Sequence, residues 1–152
     1  MSRTENEEYI IGSVSLISNK IMKFGDSIFP DITYRQWFLL MMISKMECQE
    51  KSINSIAEFV GTTRQNVKKM LVPLEKKGYV IIAKSSSDAR ALRVELTEKT
   101  YQYFSENDEP TIRETNKLFS TFSDEEIDSL ACALGKLLCS FESYGKDRKN
   151  DE

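Results

Sequence analysis

Gly61 joins two short amphipathic stretches, and that junction constrains the fold more than any other feature of this 152-residue chain. Ahead of it, Ser52 to Val60 sets Ile53, Ile56, Ala57 and Val60 on one face of a short helix. The glycine suits the left-handed position that closes such a helix. Behind it, Thr62-Thr63-Arg64-Gln65 opens another helix at once, with the Thr62 hydroxyl and Gln65 spaced as a capping box. Two helices across a tight glycine turn predict a helix-turn-helix.

At about 100° per residue, Val67, Met70, Leu71 and Leu74 of the second helix form one core-facing stripe. Gln65, Lys69, Val72 and Lys76 lie opposite, Lys68 sits on the flank, and Arg64 is in the first turn. Amides and cations are what base edges and phosphates accept, and a helix N-terminus itself favours phosphate. Gly78 closes the helix. Pro73 conflicts with it, because an interior proline deletes a hydrogen bond and costs about 3 kcal/mol. Either the helix kinks there or its regular part stops near Lys69.

Charge is concentrated around this element. The chain is net -3, yet residues 64–94 carry eight basic side chains (Arg64, Lys68, Lys69, Lys76, Lys77, Lys84, Arg90, Arg93) against Glu75 and Asp88. Residues 1–63 are net -2 and residues 95–152 net -7. A cationic block inside an acidic protein is the footprint of a polyanion partner.

Beyond the block, Tyr79 to Lys84 is β-branched and aromatic, and Leu92, Val94 and Leu96 alternate with Arg93 and Glu95. These segments predict a hairpin with a polar, basic tip at 85–90. Thr97 is placed to cap a helix running past Phe104, and Pro110 either kinks it or starts a new segment. Upstream, Ile10, Val14, Ile17, Ile21, Phe24 and Ile28 repeat at heptad-like spacing on a long first helix, which Phe29-Pro30-Asp31 breaks. Thr33 and Gln36 form a capping box for a second helix through about Met46, apolar on nearly every side and hence expected to be buried. Ser123 and Glu126 form another such box. Behind it, Ile127, Leu130, Leu134, Leu137, Phe141 and Tyr144 make a second seam, followed by a charged tail from Gly145 expected to fray.

Two apolar seams at opposite ends of the chain exceed what one small winged helix can cover. The simplest solution buries them against a second copy, with Ile10, Val14, Ile17, Ile21, Leu130, Leu134, Leu137 and Phe141 in the dimer interface. A twofold pair would set its reading helices roughly 34 Å apart, one turn of DNA.

Several function classes fall away. Histidine is absent, which removes the commonest general base and metal ligand together. Cys48, Cys132 and Cys139 lack CxxC spacing, which argues against a zinc site, and no phosphate-loop, dinucleotide or nucleophile-elbow motif occurs. No cofactor and no enzymatic activity are expected. The longest apolar run, Trp37 to Ile43, is far short of the ~20 residues of a membrane span, and the acidic start is no secretory signal. An odd cysteine count without such a signal suggests a reducing cytoplasm.

The order helix, helix-turn-helix, hairpin and closing helices resembles the MarR family of winged-helix transcriptional regulators. Ile32-Thr33-Tyr34-Arg35-Gln36-Trp37, Thr63-Arg64-Gln65-Asn66-Val67, Leu74-Glu75-Lys76-Lys77-Gly78-Tyr79-Val80, Asp88-Ala89-Arg90 and Leu96-Thr97 carry the resemblance, across roughly residues 9–144. It implies a mainly α fold with a small β-hairpin wing. Residues 31–97 would be the winged helix-turn-helix, and residues 1–30 and 98–152 a helical dimerisation region. It further implies a homodimeric repressor on a pseudo-palindromic double-stranded operator, with reading helices in major grooves and wings in flanking minor grooves. Carried over by position, Arg64, Gln65 and Lys69 face the major groove, with Thr63 and Asn66 beside them. Lys68, Lys69, Lys76 and Lys84 are the phosphate candidates, Arg93 is a further DNA-binding residue, Arg90 is the minor-groove arginine, and Asp88 holds the wing through Arg90 or Arg93. Pro73 in the reading helix and Thr100, where family members often have glycine, are departures.

Family members commonly bind a small anionic or phenolic ligand near their dimer helices, for which Tyr34, Trp37, Phe38 and Met41 are the candidates here. Plain core packing accounts for the same four side chains. Cys48, in a polar stretch, is the candidate for oxidant sensing, whereas Cys132 and Cys139, taken as flanking the C-terminal seam, read as buried structural thiols. A winged helix can also be a protein-protein module. The cationic charge on both reading helix and wing argues for DNA instead.

Overall fold

The computed structural model describes residues 2–48, 50–84 and 92–150, except for the side chains of 146–150. It separates into two compact units, Met1–Pro110 and Thr111–Glu152. Among the described residues there are six helices and one two-stranded antiparallel sheet.

The first unit opens with α1 (Arg3–Asp26) and α2 (Tyr34–Lys45). The predicted box before α2 is complete. The Gln36 N–H donates to Thr33 Oγ1 (3.3 Å), and the Thr33 N–H donates to Gln36 Oε1 (3.0 Å). Leu39, Leu40 and Ile43 of α2 are buried, whereas Trp37, Phe38 and Met41 are half-buried. The helix therefore buries one side within the chain, not every side as expected from its apolar composition.

The helix-turn-helix consists of α3 (Ile53–Val60) and α4 (Arg64–Lys76). Gly61 adopts φ 72°, and α3 closes through Thr62 N–H to Ala57 O (2.9 Å) and Gly61 N–H to Glu58 O (3.2 Å). That closure corrects the expected cap. It holds Thr62 in the turn, so Thr63 becomes the N-cap of α4 and accepts from the Asn66 N–H (3.2 Å). Thr62 Oγ1 accepts from Asn66 Nδ2 instead (3.3 Å), and Gln65 has no capping role.

Pro73 does not end α4, which continues to Lys76. Proline removes only the donor that Lys69 O would have received, while Leu71 and Leu74 on either side are fully buried. Gly78, at φ 78°, closes the helix, with its N–H on Glu75 O and the Tyr79 N–H on Leu74 O (both 2.9 Å).

The hairpin pairs β1 (Val80–Lys84) with β2 (Leu92–Leu96), Ile82 facing Val94. Val80 and Val94 enter the core with Leu39, Leu40, Ile43, Ile56, Val67, Leu71 and Leu74. Thr97 does not cap α5 (Glu98–Leu118) as expected. Its hydroxyl donates to Gly78 O (2.7 Å) and Tyr79 O (3.1 Å), tying the end of the wing back to the turn after α4. Pro110 lies inside α5 and starts no new segment.

The second unit contains α6 (Asp124–Asn150). Its predicted box is present, with Ser123 N–H on Glu126 Oε2 (2.9 Å) and Glu126 N–H on Ser123 Oγ (3.2 Å). Helical backbone runs past Gly145 to Asn150, where a frayed tail was expected. Cys132 and Cys139 are exposed, not buried. They lie about 180–200° around the helix from Leu130, on the face opposite the apolar seam. No helix of the described residues is long and apolar enough to cross a membrane.

Candidate nucleic-acid interface

The two faces of α4 have opposite character. Val67, Leu71 and Leu74 are fully buried, while Arg64, Gln65, Lys68, Lys69, Val72 and Lys76 are exposed. Gln65, Lys69, Val72 and Lys76, spaced four, three and four apart, form one outward line. Among the described residues, Arg64, Lys68, Lys69, Lys76 and the exposed Lys84 of β1 make no ion pair with a carboxylate. No described carboxylate neutralises their charge. Thr63 and Asn66 are exposed at the start of this helix, where the Thr63 hydroxyl accepts the Asn66 N–H.

Lys77 and Arg93 are engaged within the chain. Lys77 Nζ lies 3.1 Å from Asp31 Oδ1 and also donates to Asp31 O. Asp31 Oδ2 accepts from the Tyr79 hydroxyl at 2.7 Å. The Tyr79 hydroxyl first, then Lys77, hold the Asp31 carboxyl below its ordinary value. Burial and the same hydrogen bond push the Tyr79 hydroxyl upward. Lys99 Nζ stands 4.5 Å over the Tyr79 ring and donates to Lys77 O (2.7 Å). This node joins the approach to α2, the end of α4, β1 and α5. Its partners lie 46 and 48 residues from Asp31, so no local pattern announces it.

Arg93 is half-buried, with Nη1 3.1 Å from Glu95 Oε1 and with Nε buried and lacking a hydrogen-bond partner among the described residues. Asp88 and Arg90, the expected wing residues, lie outside the described residues. Both edges of the hairpin are anchored at one residue pair. The Val94 N–H donates to Lys51 O (2.8 Å), and the Ile82 N–H donates to Glu75 Oε1 (3.0 Å).

Tyr34, Trp37 and Phe38 form an aromatic group with Phe29, whose ring stacks on Trp37 at 4.8 Å, while Tyr34 lies 5.5 Å from Trp37 and 6.4 Å from Phe38. Met41 is half-buried on the same helix, and Cys48 is exposed just after it. Thr100, a departure on sequence grounds, is completely buried and donates its hydroxyl to Tyr79 O. Ile10, Val14, Ile17 and Ile21 of α1 are exposed, as are Leu130, Leu134 and Phe141 of α6, with Leu137 half-buried.

Residues 32–92 match the family model of the MarR family. The transcriptional repressor MprA of Escherichia coli K12 is 30% identical over 112 residues, which cover 72% of this chain and 64% of that protein's length. Among solved structures, the transcriptional regulator BldR from Sulfolobus solfataricus is similar, with a TM-score of 0.79 and 21% identity over 92% of this chain and 99% of that one. The S. aureus MepR–DNA complex gives a TM-score of 0.73 and 23% identity over 84% and 94%. These structural likenesses establish a winged-helix fold.

Proposed function

Because residues 32–92 match the MarR family model, we propose that this chain is a MarR-family, sequence-specific, double-stranded-DNA-binding transcriptional regulator. It acts as a homodimeric repressor on a pseudo-palindromic operator. One observation carries the reading: α4 buries Val67, Leu71 and Leu74 completely and turns Gln65, Lys69 and Lys76 outward in a single line, beside Arg64. Phosphate contacts by Lys68, Lys69, Lys76 and Lys84 supply affinity, and Gln65 with Arg64 supplies base discrimination. The repressor MprA and the DNA-bound MepR support the same reading from outside.

The exposed seams support the dimer. Ile10, Val14, Ile17 and Ile21 on α1, and Leu130, Leu134 and Phe141 on α6, are apolar surface left in water by a single copy. Residues 1–30 and 98–152 form the dimerisation region of this reading, and 31–97 form the DNA-binding domain. Release from DNA comes from a small ligand near Tyr34, Trp37, Phe38 and Met41, or from oxidation of the exposed Cys48.

Selecting bound fragments from random duplex DNA with the purified chain, alongside sedimentation, tests the reading. A recovered inverted repeat bound by a dimer is expected. A monomer at working concentrations, or no enrichment of any sequence, would overturn it. Peroxide treatment and addition of phenolic ligands to the bound complex test the two triggers separately.

A further inference from the structure

Glu75 is the only acidic residue of α4, set among cations that the DNA reading assigns to phosphate. A carboxylate there repels a polyanion, so its presence calls for a structural reason. The hydrogen bonds of the hairpin provide one. Ile82 and Val94 face each other in the register, and both turn their N–H groups away from the partner strand. Val94 gives its N–H to Lys51 O, between α2 and α3, at 2.8 Å. Ile82 gives its N–H to Glu75 Oε1 at 3.0 Å. A hydrogen bond to an ionised acceptor is stronger than one between neutral groups.

We propose that Glu75 is a positioning residue: it clamps the outer edge of the wing to the reading helix and thereby sets where the wing meets DNA. The proposal rests on the DNA-binding reading above. Val80 is buried at the base of β1, but Ile82 lies two residues further out, toward the wing tip. Without the Glu75 carboxylate, the α4-side edge of the hairpin is held by the turn at Lys77–Tyr79 and the packing of Val80 and Ile82, while the other edge keeps its Val94 N–H on Lys51 O. That edge can then shift about the Val94 anchor, and Lys84 at the described end of β1 loses its fixed distance from Gln65.

Charge and position predict opposite outcomes. If Glu75 were merely a stray negative charge, its removal would tighten binding to every duplex equally. If it positions the wing, removal lowers preference for the operator. The test uses the full chain as wild type, Glu75→Gln, which keeps an Oε1 acceptor, and Glu75→Ala. Two quantities are measured: amide hydrogen exchange at Ile82, and affinity for a selected operator and a scrambled duplex at several salt concentrations. In Glu75→Ala, Ile82 should exchange faster and the operator-to-scrambled ratio should fall about fivefold, the scale of one hydrogen bond. Glu75→Gln should keep both near wild type while binding each duplex somewhat more tightly. Unchanged Ile82 protection in Glu75→Ala, or equal tightening on both duplexes, overturns the proposal. A wild-type chain with no preferred duplex would defeat the DNA reading instead, and the Ile82 exchange rates would then still support or overturn the clamp.

Discussion

Gly25 of α1 lies directly beneath the ring of Tyr34: a Cβ built on Gly25 would stand 2.0 Å from Tyr34 Cδ2 and 2.7 Å from its Cβ. The adjoining Asp26 Oδ1 accepts the Tyr34 N–H at 2.7 Å. The end of α1 is therefore locked to the start of α2 by one absent methyl group and one hydrogen bond. Gly25→Ala sets two effects against each other. Better helix propensity favours alanine by about 1 kcal/mol. The overlap is with ring and Cβ atoms of a residue held at its own backbone, and overpacking of this kind costs about 1–3 kcal/mol. Net destabilisation is expected as a lower urea midpoint, with partial recovery in Gly25→Ala/Tyr34→Ala. An unchanged midpoint in the single variant would refute the close packing.

Asp31 makes the stability of the first unit acid-sensitive. Its carboxyl is held below the ordinary value of 3.8 by the Tyr79 hydroxyl and Lys77. A depressed carboxyl contributes stability above its unfolded pKa and loses it as pH falls through the folded value. Wild type should therefore lose stability below about pH 4 more steeply than Asp31→Asn, whose curve loses this component. The Asp31–Lys77 pair is about half exposed, so the difference is modest and shrinks in salt. Parallel urea midpoints for the two proteins from pH 6 to pH 2.5 would remove Asp31 from the account.

How much of this was legible beforehand depended on range. The capping boxes at Thr33–Gln36 and Ser123–Glu126 and the left-handed Gly61 are features within one helical turn, and the stripe of α4 follows the helical period, so spacing alone exposes them. Local Thr–Gln spacing misses the N-cap of α4 by one residue because the closure of α3 decides what Thr62 can do. Thr97 has the local position of a cap, but carbonyls 18 and 19 residues away claim its hydroxyl. The Asp31 node and the Glu75 clamp join segments that meet only after folding. Glu75 did leave a trace, as one of two acids inside the cationic block. Cys132 and Cys139 lay within reach of a helical wheel, which puts them opposite Leu130.

The outward line on α4 separates two kinds of contact. Lys69→Ala should weaken operator and scrambled DNA by similar factors and reduce the slope of log affinity against log salt by about 1, the signature of one lost phosphate contact. Gln65→Ala should leave that slope in place and lower discrimination by about 1–3 kcal/mol at one base position per half-site. Anisotropy titrations on the operator and single-base variants read both. Matching effects from the two substitutions would contradict the division of labour along the helix.

The seam on α1 can be broken without touching the core of its own chain. Ile17 is 52% exposed and Ile10 47%, so neither is needed to fill the interior of a single copy. A charge at Ile17 leaves that interior intact yet would be buried unpaired if two α1 seams met, and an unpaired buried charge costs several kcal/mol. Asn19 is about 180° around α1 from Ile10 and provides the control. Ile17→Glu should keep the far-ultraviolet circular dichroism of wild type, sediment as a monomer at concentrations where wild type is a dimer, and lose affinity for a two-half-site operator far more than for a half-site. Asn19→Glu should do none of these. A dimer persisting in Ile17→Glu would remove α1 from the interface and leave the α6 face, with Leu130, Leu134 and Phe141, to hold the two copies together.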